Sequence, residues 1–216
     1  MSKVFLITRP KYDITTHYLF YWSDKVLKST AKKNIQVLDL QKKRANKKEL
    51  VSIIKKKQPL LCFFNGHGGP DFITGHSNEI LIKFGENEKI LKSKIVYALS
   101  CQSAKRLGLE SIKKGTIAYI GYKEDFVFVF DQEKVFNPVK DATAKLFLEP
   151  SNQLIISLIK GHTADFAYKK SQNLFRENIQ KLLTSESSVD SSYISYLWWD
   201  MRHQVCLGDK NAVFND

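Results

Sequence analysis

The stretch Leu60-Leu61-Cys62-Phe63-Phe64-Asn65-Gly66-His67-Gly68-Gly69-Pro70 opens on five apolar residues and closes on a histidine with glycine on either side. A short unbroken apolar run bounded by turn formers predicts a strand buried on both faces. Runs of the same kind recur at residues 4–7, 95–99 and 116–122, and residues 35–40 are a further strand candidate. Helical patterns fill the intervals. Asp13 or Thr15/Thr16 caps a helix running toward Lys33, with Tyr18, Tyr21, Trp22, Val26 and Leu27 on one face. Asn46 caps a second helix through Leu50, Ile53 and Ile54 that stops at Pro59, and a third spans about residues 103–112. Strands alternating with helices predict an α/β fold, a mostly parallel central sheet with helices on both faces.

Residues 80–84 and 88–91 resemble a hairpin around Gly85-Glu86-Asn87. Asn137-Pro138 opens a helix toward Leu148 that Pro150 breaks, residues 154–159 form a short apolar run, and Thr163 starts a long helix through Phe166, Phe175, Ile179 and Leu182. The serine-rich residues 185–192 read as a mobile loop, and a last strand ends near Gly208. No repeat or linker interrupts the pattern, so residues 1–216 are expected to form a single domain.

Composition fits a folded protein, with 43% hydrophobic and 12% aromatic residues. The net charge of +12 is concentrated in residues 25–57, where twelve Lys or Arg face two acids, Asp39 and Glu49. That block reads as a solvated helix face, with a docking surface for nucleic acid or an acidic partner as the alternative. No aromatic residue interleaves these cations, which disfavours base stacking. Three cysteines without paired spacing exclude a disulfide framework or a zinc ribbon. With no leader-like segment and no apolar run of membrane-spanning length, the expectation is a soluble cytoplasmic protein with no membrane association.

Functional loops of a parallel sheet lie beyond the carboxyl ends of its strands. Two such ends carry reactive side chains: residues 60–64 lead to His67, and residues 95–99 lead to Ser100-Cys101-Gln102-Ser103-Ala104. If the strands are neighbours, an imidazole and a thiol share one rim. A histidine near a cysteine raises its thiolate fraction or protonates a leaving amine, the chemistry of acyl transfer. A helix start just after Cys101 would favour a thiolate, and the Gly68 N–H would serve as an oxyanion donor. His76 with His67 and Cys101 lacks the short-spaced pair that a zinc site needs, so no metal is expected. Cys62 and Cys206 read as buried and inert, and Trp198 and Trp199 as packing residues.

An apolar strand ending in His-Gly, then an apolar strand ending in Cys before small residues, resembles the caspase-like cysteine peptidases. "IVYALSCQSAKRLG" followed by "GTIAYIGY" is most similar to their bacterial CHAT and gingipain-related branch, and "LWWDMRHQVCLGD" looks like its last strand. The resemblance implies a caspase-like three-layer sandwich and peptide-bond cleavage without a cofactor. It also implies Cys101 as nucleophile, His67 as general acid/base, and the Gly68 and Cys101 N–H groups as oxyanion hole. Family members that cut after basic residues often carry an aspartate two positions before the cysteine, and caspases a glutamine; this chain has Leu99. Arg9 matches a pocket arginine of caspases and legumain and would receive an acidic or polar side chain, whereas Asp71, Glu124 and Asp125 are rival pocket liners of opposite preference. The expected function is a cysteine endopeptidase acting on protein substrates, restrained by a regulatory protein partner or by disorder of its site loops, in a bacterial defence or cell-death pathway. The alternative is a catalytically inactive caspase-like interaction module that binds protein or nucleic acid through its basic surface.

Overall fold

A computed structural model describes residues 3–31, 33–184 and 191–215. Along the chain run β1 (Lys3–Arg9), α1 (Ile14–Trp22), α2 (Asp24–Thr30), β2 (Ile35–Gln41), α3 (Lys47–Lys57), β3 (Leu61–Asn65), β4 (Gly68–Gly69), β5 (Phe72–Thr74), β6 (Ile80–Lys83) and β7 (Ile95–Leu99). They are followed by α4 (Leu107–Lys113), β8 (Ala118–Tyr122), α5 (Ala142–Ile159), α6 (Ala164–Leu183), α7 (Ile194–His203) and β9 (Gln204–Gly208). Six strands form the central sheet in the order β2-β1-β3-β7-β8-β9, parallel except for β9. The four apolar runs 4–7, 60–64, 95–99 and 116–122 are its inner strands, as their double-sided hydrophobicity predicts.

Alternate residues of each strand feed opposite layers. Phe5, Ile7, Phe63, Tyr97, Leu99, Ile120 and Tyr122 pack under α1, α2 and α5 through residues such as Tyr18, Trp22, Leu154 and Leu158. Leu6, Cys62, Phe64, Val96, Ala98 and Tyr119 face α3 and α4 through Leu50, Ile54 and Leu107. This is the three-layer α/β arrangement expected from the sequence. Asp13, Asn46 and Thr163 each cap the predicted helix with a side-chain oxygen.

Several details differ from expectation. The first helical stretch is two helices, divided at Ser23, whose hydroxyl bonds the Phe20 carbonyl and competes with the helical ladder. The hairpin across residues 85–87 does not form. Asn87 instead accepts from the Lys83 N–H and donates to the Leu81 carbonyl, closing the end of β6, and Glu88–Leu91 becomes a 3-10 turn. The partner of β6 is β5, in a small antiparallel sheet β4-β5-β6 set beside the carboxyl ends of the parallel strands. Asn137-Pro138 opens only a 3-10 turn, and α5 is capped by Asp141. The serine-rich segment falls largely outside the described residues, of which only Ser191 and Ser192 belong to it.

Pro150 does not break α5, which continues through it to Ile159 and takes in the apolar run 154–159. A proline inside a helix leaves the carbonyl four residues earlier without its donor. That carbonyl, on Leu146, accepts from the Asn178 side chain of α6 at 2.8 Å. Asn178→Leu is therefore expected to cost about 1–3 kcal/mol of stability, the penalty of an orphaned acceptor. In a Pro150→Ala background, where a backbone N–H returns, the same change should cost much less; urea unfolding of the four proteins checks both values.

Candidate active site

Strands β3 and β7 are paired in parallel from Leu61↔Ile95 to Asn65↔Leu99. His67 and Cys101 each follow that last pair by two residues, so equal overhangs carry both onto one rim. Asn65 is buried and donates its amide to the Thr8 carbonyl at 3.1 Å, tying the end of β3 to β1. The chain then turns through Gly66 at φ +149°, where a Cβ would stand 2.6 Å from the Thr74 carbonyl oxygen. A Cβ on Gly68 would lie 2.9 Å from the Cys101 carbonyl oxygen and 3.0 Å from Ser100 Cβ. Gly68 thus lets the histidine loop pass directly against the cysteine segment, while Gly66 lets it turn back against Thr74.

Further bonds fasten the two loops. The Pro70 carbonyl accepts from the N–H groups of Arg106 and Leu107, and Asp71 forms an ion pair with Arg106. The His67 carbonyl accepts from the Thr74 N–H at 2.9 Å and from its hydroxyl at 3.1 Å.

His67 is half-buried, and its Nε2 lies 2.6 Å from Asp13 Oδ2. Asp13 also accepts from the Thr16 N–H and hydroxyl in the capping box of α1. Burial opposes ionisation of this carboxyl, but the Thr16 and His67 hydrogen bonds outweigh it and hold its pKa below the ordinary value. An Nε2–H donating to Asp13 leaves Nδ1 as the basic nitrogen.

Cys101 is partly buried, with Sγ 3.8 Å from the Phe126 carbonyl. Burial pushes its thiol up to about 11, and negative charge on Asp125, with any on Asp200, pushes the same way. The expected helix start after Cys101 is absent. Residues 101–106 form turns, α4 begins only at Leu107, and the Gln102 and Ala104 N–H groups already bond the carbonyls of Glu124 and Tyr122. The helix-dipole argument for a thiolate therefore falls, because the segment is pinned to the end of β8 before it can coil.

Neither of the two expected oxyanion donors has a hydrogen-bond acceptor among the described residues. The Thr74 bond to the His67 carbonyl makes Gly68↔Ile73 a non-hydrogen-bonded pair, so the Gly68 N–H points out of its ladder. The Cys101 N–H has no acceptor among the described residues.

The four charged pocket candidates part company here. Arg9 is 4% exposed and bonded to Asp24 at 2.5 Å, with Asp39 at 3.4 Å and the Phe20 ring beneath it. Asp71 is held by Arg106, and Glu124 by Lys105 at 3.0 Å. Asp125 receives the neutral Gln102 amide at 2.9 Å and also lies within side-chain hydrogen-bonding reach of the Cys101 thiol. It is the one of the four whose charge no counter-ion meets among the described residues. His76 lies against Tyr12 rather than Cys101, and no three His, Cys, Asp or Glu side chains are grouped as a metal would require among the described residues. Cys62 is fully buried, with its thiol pushed up to about 12 by burial. Cys206 is only partly buried, and Trp198 and Trp199 lie at the surface on α7 rather than in the core, because that helix covers little of its circumference.

Three features escaped the sequence reading. Asp13 was visible as a cap but not as the partner of a histidine 54 residues away. Residues 126–130, Phe-Val-Phe-Val-Phe, lie outside any helix or ladder; successive phenylalanine rings are 6.3 and 6.1 Å apart, the spacing of alternate residues in an extended chain. Those rings anchor on Tyr18 and Tyr122, while the N–H groups of residues 128–130 and the carbonyls of residues 127–130 have no partner among the described residues. The alternation of aromatic and β-branched residues is the signal that would have found this segment. Asp200 on α7 is fully buried, accepts from the Val127 N–H at 3.0 Å and leaves Oδ2 without a partner among the described residues.

No family model matches the sequence, and no curated protein matches it. Solved structures do share the fold. The Saccharomyces cerevisiae separase–securin complex aligns over 95% of this chain and 12% of that one, at 14% identity and TM-score 0.53. The complex of Porphyromonas gingivalis RgpB pro- and mature domains aligns over 97% and 48%, at 9% identity and TM-score 0.56. Caspase-1 from Spodoptera frugiperda aligns over 98% and 88%, at 12% identity and TM-score 0.50. The chain thus has the caspase-like fold, and it spans about an eighth of the separase chain and about half of the RgpB chain. Among the described residues no helix is long and apolar enough to cross a membrane.

Burial raises the Asp200 pKa well above the ordinary aspartate value. A carboxyl whose folded-state pKa is raised gives stability that is full below the unfolded value and is lost as pH rises through the folded value. Asp200→Asn keeps the acceptor for Val127 and removes the titration. The variant should therefore match the parent near pH 4 and exceed it at pH 8, as thermal unfolding at the two pH values would record.

Proposed function

We propose that the chain is a cysteine endopeptidase in which Cys101 attacks a peptide carbonyl and His67 moves the proton. The observation that carries this reading is the register of β3 and β7, which brings the imidazole loop and the thiol segment into contact on one rim. The caspase-like fold supports it, as do the two N–H groups beside the thiol that have no acceptor among the described residues. The likeness of the two strand-end motifs to the CHAT and gingipain-related branch extends it to a role in bacterial defence or cell death.

At neutral pH a thiol with a pKa near 11 is protonated, so attack must be coupled to proton removal. In this mechanism Nδ1 of His67 takes the Sγ–H proton while Sγ bonds the carbonyl carbon. The oxyanion is met by the Gly68 and Cys101 N–H groups. Collapse breaks the C–N bond, the amine leaves with the proton from His67, and water hydrolyses the thioester by the same residues. Asp13 positions the ring and stabilises the imidazolium. The acyl half of the substrate lies along residues 126–130, whose unpaired backbone groups offer the edge that an extended peptide pairs with. Asp125 at that rim favours a basic side chain before the scissile bond. The Sγ contact with the Phe126 carbonyl supports a restrained resting state, which a partner protein would relieve by moving this segment.

Turnover of a quenched peptide library tests the reading. Cys101→Ala should abolish cleavage, and His67→Ala should lower kcat by about 10²–10⁴-fold. Asp13→Asn should lower kcat at unchanged KM, as loss of a positioning group does. Asp125→Asn should reduce preference for a basic residue by about five-fold, the worth of one exposed ion pair. Cleavage surviving Cys101→Ala would overturn the assignment.

A further inference from the structure

Beside the site, a cavity of about 640 Å³ is lined by Lys11, Gln41, Lys42, Lys43, Arg44 and His76. No carboxylate lines it. Arg44 is paired with Glu49, and Lys11 Nζ donates to the Tyr21 hydroxyl, but Lys42 and Lys43 have no acidic partner among the described residues. Lys42 stands at φ +52°, a conformation that costs a lysine and is usual for glycine. That strain turns the chain straight out of β2 and folds residues 42–44 into a 3-10 turn along the cavity. The cavity shares a wall with the site. Lys11 lines the one and Asp13 holds His67 in the other, while the Tyr12 ring between them lies edge-on to His67 at 6.2 Å and to His76 at 5.3 Å.

We propose that this cavity binds acidic residues of the substrate on the leaving-group side of the scissile bond. The inference rests on the endopeptidase reading and names the substrate class that reading leaves open. Its direction follows from the sheet order β2-β1-β3-β7-β8. The acyl half of the peptide lies toward β8 and residues 126–130. The imidazole that protonates the amine is on β3, so the chain beyond the cut leaves over β3 toward the ends of β1 and β2. Strands are about 4.8 Å apart and an extended chain rises about 3.3 Å per residue, so β2 lies about four residues past the cut. Acidic side chains there meet Lys42, Lys43 and Lys11, and partial desolvation in the cavity strengthens the attraction over that at an open lysine face.

The test has a binding arm and a turnover arm. In the first, a fluorescein-labelled peptide bearing three successive glutamates is titrated onto the full chain carrying Cys101→Ala, at fixed ionic strength, and followed by anisotropy. Adding Lys42→Glu and Lys43→Glu should weaken binding by about ten-fold or more, whereas adding Lys55→Glu and Lys89→Glu, in a basic cavity elsewhere, should weaken it by less than about two-fold. Equal weakening by both pairs, which change the net charge equally, overturns the proposal in favour of diffuse attraction. In the second arm, two quenched peptides differ only in glutamate or glutamine at the third to fifth residues after the cut. The active enzyme should favour glutamate by about five-fold or more in kcat/KM, and the Lys42→Glu, Lys43→Glu enzyme should not. Equal rates on the two peptides contradict the proposal, as does inorganic pyrophosphate raising turnover of the glutamine peptide, which would mark an effector site. Should no peptide be cut, the endopeptidase reading fails by itself and the binding arm still decides the cavity.

Discussion

The parallel pairing of β3 with β7 is the constraint on which the rest depends. Five residue pairs from Leu61↔Ile95 to Asn65↔Leu99 are buried on both faces, so a slip of one residue would send each side chain into the opposite layer and unpack both at once. With the register fixed, the overhangs are fixed too, and His67 and Cys101 leave the sheet at the same height. Gly68 then converts equal height into contact, since a side chain there would meet the Cys101 carbonyl, and Gly66 gives the turn against Thr74 that precedes it.

Around that rim, electrostatic pairing divides structural charges from available ones. Arg9 is committed to Asp24 and Asp39 beneath α1 and α2, and the Asp71–Arg106 pair joins the histidine loop to the cysteine segment. Asp13 serves both as a helix cap and as the partner of His67, so the fold of α1 and the orientation of the imidazole are one interaction. Asp125 and the cations after β2 are left over, on opposite sides of the thiol. A peptide cut at the rim would therefore meet negative charge before the cut and positive charge after it.

Much of the fold was legible in the sequence because its inner strands are apolar on both faces and its helix starts carry Asp13, Asn46 and Thr163 as caps. Local rules failed where a distant group changed the outcome. Pro150 should end a helix, but Asn178 from the next helix accepts its consequence by donating to Leu146. Residues 103–106 should begin a helix, but the Tyr122 carbonyl claims the Ala104 N–H and the Glu124 carbonyl holds Gln102 just before it. The candidate site was legible as two strand ends, His67 and Cys101. Asp13, Asp200 and residues 126–130 were not, since each gains its significance from a residue tens of positions away, such as Val127 for Asp200.

The account stands on the imidazole at one strand end acting on the thiol at the other. The most direct measurement is site-resolved mass spectrometry of the native chain treated with a peptidyl chloromethyl ketone, comparing the rates at Cys62, Cys101 and Cys206. The account predicts modification at Cys101 far ahead of both others, slowed by about a hundred-fold or more in His67→Ala. Labelling of Cys101 no faster than that of the partly buried Cys206, or a rate indifferent to His67→Ala, would contradict it.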